Sequence, residues 1–341
     1  MKNKSKAKKT ALIILAVLLI LVLLAVSVFT VLYFNGKHKF HKNDKNISVG
    51  ENDAVEVSDE DVYYKDKTYV LDNDVVSILF MGVDKEKIDD NLGYSKNGQA
   101  DSIFVAAINT REKTTKIIPI SRETMVDMDI YSVGGSFSKV EKQQLCLAYD
   151  YGNTSEESSK NVMRSVSRLL YGINISSFVT VDLNGVKTIS NAVGGVKVTA
   201  LESMQLPSKS ITQGSEVLLK GEDAVQYIRT RGGDLEANNR RMLRQKQFLS
   251  AFASTAGNQI MSNFTKLAAY YNLMSPYVST NVSLSQATYL AGECLTADIG
   301  SKFEYKVITG QMQLGEKWAE FIPDTDAVLD IVMDVFYKVK Q

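Results

Sequence analysis

Histidine is almost missing from this chain: His38 and His41 are the only two among 341 residues, and both lie near the N-terminus. Histidine-based catalysis in the bulk of the chain is thereby nearly excluded. Cysteine is equally scarce. Cys146 and Cys294 are too few for a disulfide scaffold and suit no zinc-binding spacing. They could pair outside the cytoplasm, but spacing alone does not decide whether the fold brings them together. An excess of one charge is also lacking, because 39 basic side chains balance 39 acidic ones. Setting aside Lys2, Lys4, Lys6, Lys8 and Lys9 leaves 34 basic against 39 acidic residues, a balance of −5 for the rest. Such a domain has no broad field to attract nucleic acid, so no nucleic-acid partner is expected and any anion site must be built locally.

What is present begins with hydrophobicity. The five lysines of a basic tail (1–10) precede an apolar run from Ala11 to Phe34, softened only by Ser27, Thr30 and Tyr33. Twenty-four residues at ~1.5 Å each give roughly 36 Å of helix, enough to cross a ~30 Å hydrocarbon core. Lysines on the leading side place the N-terminus in the cytoplasm and the remainder outside. A cleaved signal peptide is the alternative, but its apolar region is usually only about 7–15 residues. Ala25-Val26-Ser27, a candidate cleavage site, falls well inside the run. The sequence therefore predicts a transmembrane helix over 11–34, a polar extracytoplasmic stalk over 35–74 with a short hairpin around Tyr63–Leu71, and a folded domain over 75–341.

Apolar runs at Val75–Val83, Ile103–Ile108, Lys116–Ile120, Phe178–Leu183, Val196–Ala200 and Phe303–Ile308 read as strands. Helical patterns fall at Val140–Tyr151, Ser155–Tyr171, Gly221–Tyr227, Leu235–Ile260, Phe264–Met274, Ser283–Ala297 and Thr325–Val339, with a short one after Asn184. The interleaving predicts an α/β fold: a mixed central sheet with helices on both faces.

Arginine is unevenly spread. Arg229 and Arg231 share a face if Tyr227–Arg231 is extended, and Arg241, Arg244 and Gln245 share one on the following helix. Converging guanidinium forks suit bidentate grip on phosphate oxygens, although a solvated basic face would use the same residues. Asp84 ends one strand and Asp101 begins the next, so both are expected at one sheet edge. Two such carboxylates suit Mg²⁺, or capping of turns. Arg122 ends the third strand near the same edge.

Gly82-Val-Asp84, Ala100-Asp-Ser-Ile103, Ile120-Ser-Arg-Glu-Thr124, Val181-Asp-Leu-Asn-Gly-Val186, Asn191-Ala-Val-Gly-Gly-Val196, the stretch Leu219 to Arg231, and Arg240-Arg-Met-Leu-Arg-Gln-Lys-Gln-Phe248 follow one another in an order and spacing that resemble the LytR-CpsA-Psr family. The resemblance covers Val76 to Val339. It implies a Gram-positive, single-pass membrane protein that moves a glycopolymer, such as teichoic acid or capsule, from a polyprenyl pyrophosphate carrier to a peptidoglycan hydroxyl. It further implies Mg²⁺ (or Mn²⁺) at Asp84 and Asp101, with Arg122, Arg229, Arg231, Arg241, Arg244 and Gln245 on the pyrophosphate. An apolar channel between sheet and helices, with Ile173–Leu183 and the helix from Val140 contributing, would take the prenyl chain. Three departures stand out. Gln99-Ala-Asp101 replaces the usual Arg-Ser-Asp, with Lys96 nearby; Ser121-Arg-Glu-Thr124 replaces Pro-Arg-Asp-Thr; and the stretch around Cys146 is looser than usual. A pyrophosphatase and a non-catalytic sensor of lipid-linked wall precursors are the competing readings.

Overall fold

A computed structural model of the chain describes residues 26–40, 61–88, 98–132, 134–230, 232, 237–296, 298–315 and 318–340. Helix α1 runs over residues 26–40. Strands β1 (Val62–Tyr64), β2 (Lys67–Leu71), β3 (Val75–Val83), β4 (Ala100–Asn109), β5 (Thr114–Ile120), β6 (Met125–Tyr131) and β7 (Phe137–Gln144) lead into helix α2 (Ser155–Leu169). Then come β8 (Ser177–Val181), α3 (Leu183–Ala192), β9 (Val196–Thr199), β10 (Met204–Gln205), β11 (Ser210–Ile211), β12 (Glu216–Leu219), α4 (Gly221–Arg229), α5 (Ala237–Ser262) and α6 (Thr265–Met274). The chain closes with β13 (Val278–Thr280), α7 (Leu284–Cys294), β14 (Glu304–Tyr305), β15 (Gly310–Leu314), β16 (Ala319–Pro323), α8 (Thr325–Phe336) and β17 (Tyr337–Val339).

The central sheet has six strands in the order β13-β8-β3-β4-β5-β14, with β3 parallel to β8 and antiparallel to β4. It is buried on both faces, as the continuous apolar runs of β3 and β4 require. Leu79, Met81 and Val83 of β3, with Ile103, Val105 and Ala107 of β4, meet Val162 and Val166 of α2 and Val328 and Val332 of α8. Val76 and Ile78 point the other way, into a cluster with Phe40, Val282 and Tyr289. A period of two thus divides one strand between two cores. Small lobes complete the fold: β9 and β12 pair antiparallel, and their Val196, Val198 and Leu219 pack with Ala224 and Tyr227 of α4 and Phe248 of α5.

Helices α2, α3, α7 and α8 start on side-chain caps. Asp182 accepts from the Gly185 N–H at 2.7 Å to begin α3, and Ser283 and Gln286 form a reciprocal capping box on α7. The expected mixed α/β sheet with helices on both faces is present. One helix is not: Val140–Tyr151, read as helical, is the end of β7, which pairs with β6, followed by a 3₁₀ turn, Leu145–Tyr151. The polar, largely exposed Phe137–Gln144 carries no apolar alternation, and pairing with β6 decides its conformation.

Most of the expected membrane span lies outside the described residues; among those described, no helix is long and apolar enough to cross a membrane. The expected hairpin at Tyr63–Leu71 is β1–β2, and β2 also pairs with β17 at the far end of the chain.

Candidate active site

Because β3 and β5 run the same way and β4 runs opposite, the end of β3, the start of β4 and the end of β5 share one edge of the sheet. Asp84, Asp101 and Arg122 are therefore neighbours there, as their positions in the sequence predicted. A shift of register between Gly82 and Val83 bends β3 where it meets this edge. The three residues line a cleft of about 690 Å³ with Gly98, Gln99, Gln226, Arg229 and Thr230.

Two ion-pair systems organise the cleft. Arg229, the last residue of α4, holds Asp84 through Nε at 2.9 Å and Nη2 at 3.1 Å. This fork is open to solvent, with the Arg229 side chain half exposed. The second system is buried. Arg122 donates to the Asp101 carboxylate and to the Gln99 side-chain oxygen, and its Nη2 lies 3.3 Å from Cys146 Sγ. Arg241, 2% exposed, approaches the other Asp101 oxygen at 3.5 Å and donates to the Asp101 backbone carbonyl at 3.2 Å and to Asn238 at 2.6 Å. One carboxylate thus serves two guanidinium groups. Glu123 lies 3.8 Å from Arg122 Nε on the other side, and also accepts from Ser121 at 2.7 Å and from Asn238 at 2.5 Å. It ties the β5 turn to the start of α5.

The extended conformation considered for Tyr227–Arg231 does not form, because α4 continues to Arg229. Glu222 and Asp223 in its first turn and Arg229 in its last complement the helix dipole. The exposed carbonyls of that last turn are met from α5: Arg244 Nε donates to Tyr227 O at 2.7 Å, Arg244 Nη2 to Thr230 O, and Gln245 Nε2 to Ile228 O at 3.2 Å. Arg244, expected from sequence on the pyrophosphate, is thus engaged with the end of α4 and does not line the cleft. Its guanidinium is buried, paired with Glu202 and spent on aiming Arg229, and burial pulls its pKa below the ordinary arginine value. Arg231 and Lys96 lie outside the described residues.

Two narrow crevices leave the cleft under Asp101. One runs between β4, β5 and α5, lined by Phe104, Ile117, Pro119, Met242 and Leu249. The other is lined by Gly82, Val181, Val186, Ile228 and Gln245. Gln245 and Arg241 wall both. Of the segments expected at a prenyl channel, Val181 and Leu183 reach the second crevice.

Sequence reasoning missed Asn238, Gln226 and the thiol of Cys146. Asn238 falls between the motifs, Gln226 lies inside one but was not singled out, and Cys146 lies in the segment whose conformation it misassigned. Cys146 and Cys294 are both free and buried rather than paired. Burial pushes the Cys146 thiol up, outweighing the neighbouring Arg122 guanidinium. Among the described residues, no three His, Cys, Asp or Glu side chains gather as a metal cluster.

Comparison with known proteins bears on this geometry. A sequence model of the LytR_cpsA_psr family matches residues 30–331. The chain is 30% identical over 222 residues to a Bacillus subtilis protein named polyisoprenyl-teichoic acid--peptidoglycan teichoic acid transferase TagV, covering 63% of this chain but only about half, 51%, of that one. It is 25% identical to the Enterococcus faecalis TagU transferase over 312 residues, 91% of each chain. The crystal structure of B. subtilis TagV superimposes with a TM-score of 0.61 at 27% identity, covering 76% of this chain and 96% of that one.

Proposed function

Since the chain belongs to the LytR_cpsA_psr family, we propose that it is a phosphotransferase moving a glycopolymer from a polyprenyl pyrophosphate carrier to a hydroxyl of peptidoglycan, as the names of its relatives TagV and TagU indicate for teichoic acid. The observation that carries this reading is Asp101, held between Arg122 and Arg241 at a cleft floor from which apolar crevices lead away. A pyrophosphate with a long hydrocarbon tail needs that combination. Its oxygens take guanidinium forks, and its tail takes a dry groove.

In this reading Arg122 and Arg229 turn from their carboxylates to the pyrophosphate when it binds. The acceptor sugar hydroxyl attacks the phosphorus nearer the glycan, a phosphorus–oxygen bond forms, and the bond to the second phosphate breaks. Polyprenyl phosphate leaves, and Asp84 or Asp101 takes the hydroxyl proton. No protein nucleophile is needed for this step. Arg241 stays in place as a fixed positive charge facing the developing negative one. Asp84 and Asp101 are the residues that would hold Mg²⁺ or Mn²⁺, since two carboxylate oxygen donors fit a hard cation that completes its shell with phosphate and water. Such a cation supplies charge neutralisation at the transferring phosphoryl group.

The reading includes the anchor: residues 11–34 span the membrane once, with the N-terminus in the cytoplasm and the cleft outside, in a Gram-positive cell. The test is incubation of the purified full chain with a synthetic polyprenyl-pyrophosphoryl oligosaccharide and peptidoglycan oligomers, with and without Mg²⁺, followed by mass spectrometry. A coupled product that requires Mg²⁺ and is lost in Arg122→Ala supports transfer. Free phosphorylated glycan in its place would mean a pyrophosphatase. The sensor reading draws on Gln99, which engages Arg122 where the family usually has an arginine; lipid bound but never turned over would favour it.

A further inference from the structure

Helix α1 is docked along the folded domain. Phe29, Tyr33, Gly36 and Phe40 recur at helical spacing on one face. Phe29 meets Phe264 edge-on with ring centroids 4.9 Å apart, Tyr33 meets Tyr289 at 5.3 Å and donates to Glu293, and Phe40 is 2% exposed. At Gly36 the helix backbone comes so close to Ser285 that a Cβ would fall 2.0 Å from its carbonyl oxygen. The opposite face of α1 carries Val28, Val31 and Phe34, each more than half exposed.

A typical span of about 20 residues counted from Ala11 reaches Thr30, and the full apolar run reaches Phe34, so in this anchor Phe29 lies at membrane depth. Whatever touches Phe29 shares that depth. Phe264 does, and α6 starts at the next residue. Helix α6 is itself unusual. Its sequence, TKLAAYYNLM, is mostly apolar and aromatic, yet none of its residues is buried. Leu273 and, just before the helix, Met261 are 41% and 50% exposed. No acidic side chain occurs from Met261 to Tyr277, on a domain that is acidic overall.

We infer that α6, with Met261 and Phe264 before it, is a membrane-contacting face that rests in the outer bilayer surface, held there by the docked α1. The inference rests on the anchor reading given above. Tyrosines with an apolar body and a polar tip suit the headgroup level, and an acid-free surface avoids repulsion from anionic lipid. Here the tips are satisfied internally, Tyr271 by the Val282 carbonyl at 3.0 Å and Tyr270 by Gln259. On this view α1 is a rigid stem that fixes the height and tilt of the catalytic cleft, in contrast to a loose tether.

The test uses the full chain in phosphatidylcholine–phosphatidylglycerol vesicles, with Trp318→Phe removing the native tryptophan. Leu273→Trp and, separately, Ala269→Trp report from α6; Tyr63→Trp, on β1, is the reference. Lipids brominated near the headgroup are expected to lower the α6 emission roughly two-fold and to leave the β1 reporter almost unchanged. Adding Phe29→Ala and Tyr33→Ala should reduce that quenching while the chain still floats with the vesicles. A chain that fails to float overturns the anchor and this inference with it. A chain that floats with both α6 reporters insensitive to bromine overturns the inference alone, and a bromine-insensitive blue shift would mean that a second copy covers the face.

Discussion

Arg241 lies 3.5 Å from the Asp101 carboxylate and has almost no solvent, so the two residues are a single electrostatic unit. Removing the carboxylate strands a buried cation. Asp101→Ala is expected to lower unfolding free energy by about 3 kcal/mol in addition to abolishing transfer. Asp84→Ala, which frees a half-exposed arginine, should lose transfer at a cost of about 1 kcal/mol or less. Urea unfolding of the two variants side by side checks the contrast; equal losses would refute the shared-carboxylate account.

Arg229 and Arg244 should separate function from support. Arg229→Ala is expected to weaken binding of the pyrophosphate headgroup about 10- to 100-fold, the loss of a charge-assisted fork, with stability nearly unchanged. Arg244→Ala should instead destabilise the protein by about 3 kcal/mol, leaving the Tyr227 and Thr230 carbonyls without their donor and Glu202 with only the more distant Arg240. Arg244→Lys should rescue little, because an ammonium cannot reach both carbonyls. Calorimetric binding and thermal unfolding together give the readout.

The thiols set an alkaline limit. Burial pushes Cys294 up to about 11, chiefly by desolvation, so the folded state keeps a proton that the unfolded chain has already released. Stability from this group is complete below the ordinary thiol range and is lost as pH rises through about 11. Cys294→Ser should flatten the fall in melting temperature over that window. At pH 8, iodoacetamide should label neither Cys294 nor Cys146 until the protein is denatured.

The crevice bounded by Val186 and Ile228 is expected to read lipid length. Val186→Trp should raise KM about ten-fold for a long polyprenyl donor and leave a short-chain donor unaffected, since only the long chain needs the filled volume. Equal effects on both donors would assign the defect to the headgroup.

Much of this was legible in the sequence because strand ends are. Once Val75–Val83 and Ile103–Ile108 are recognised as adjacent strands, Asp84 and Asp101 can only fall at one edge, and a hairpin-length link brings Arg122 beside them. Which arginine reaches Asp101 was not legible. Arg241 and Arg244 lie on the same helix one turn apart, and helical spacing gives both one face. The distinction arises only when the end of α4 is built, because its carbonyls claim Arg244 and leave Arg241 to Asp101. The β6–β7 hairpin was hidden for another reason: its second strand is polar and stands outside the core, so only its partner dictates its shape.

The pairing of β2 with β17 has a consequence in time. Lys338 finds Asp72 across 266 positions of chain, so β2 leaves the ribosome long before the strand that completes its sheet. Until the last residues follow, one edge of β2 stays unpaired, and an open edge invites pairing with other chains. The loop entropy of so long a closure grows only logarithmically, but the encounter is slow. Closure of this sheet therefore waits for β17. Loss of β17 should show first as aggregation during expression, ahead of any change in the cleft.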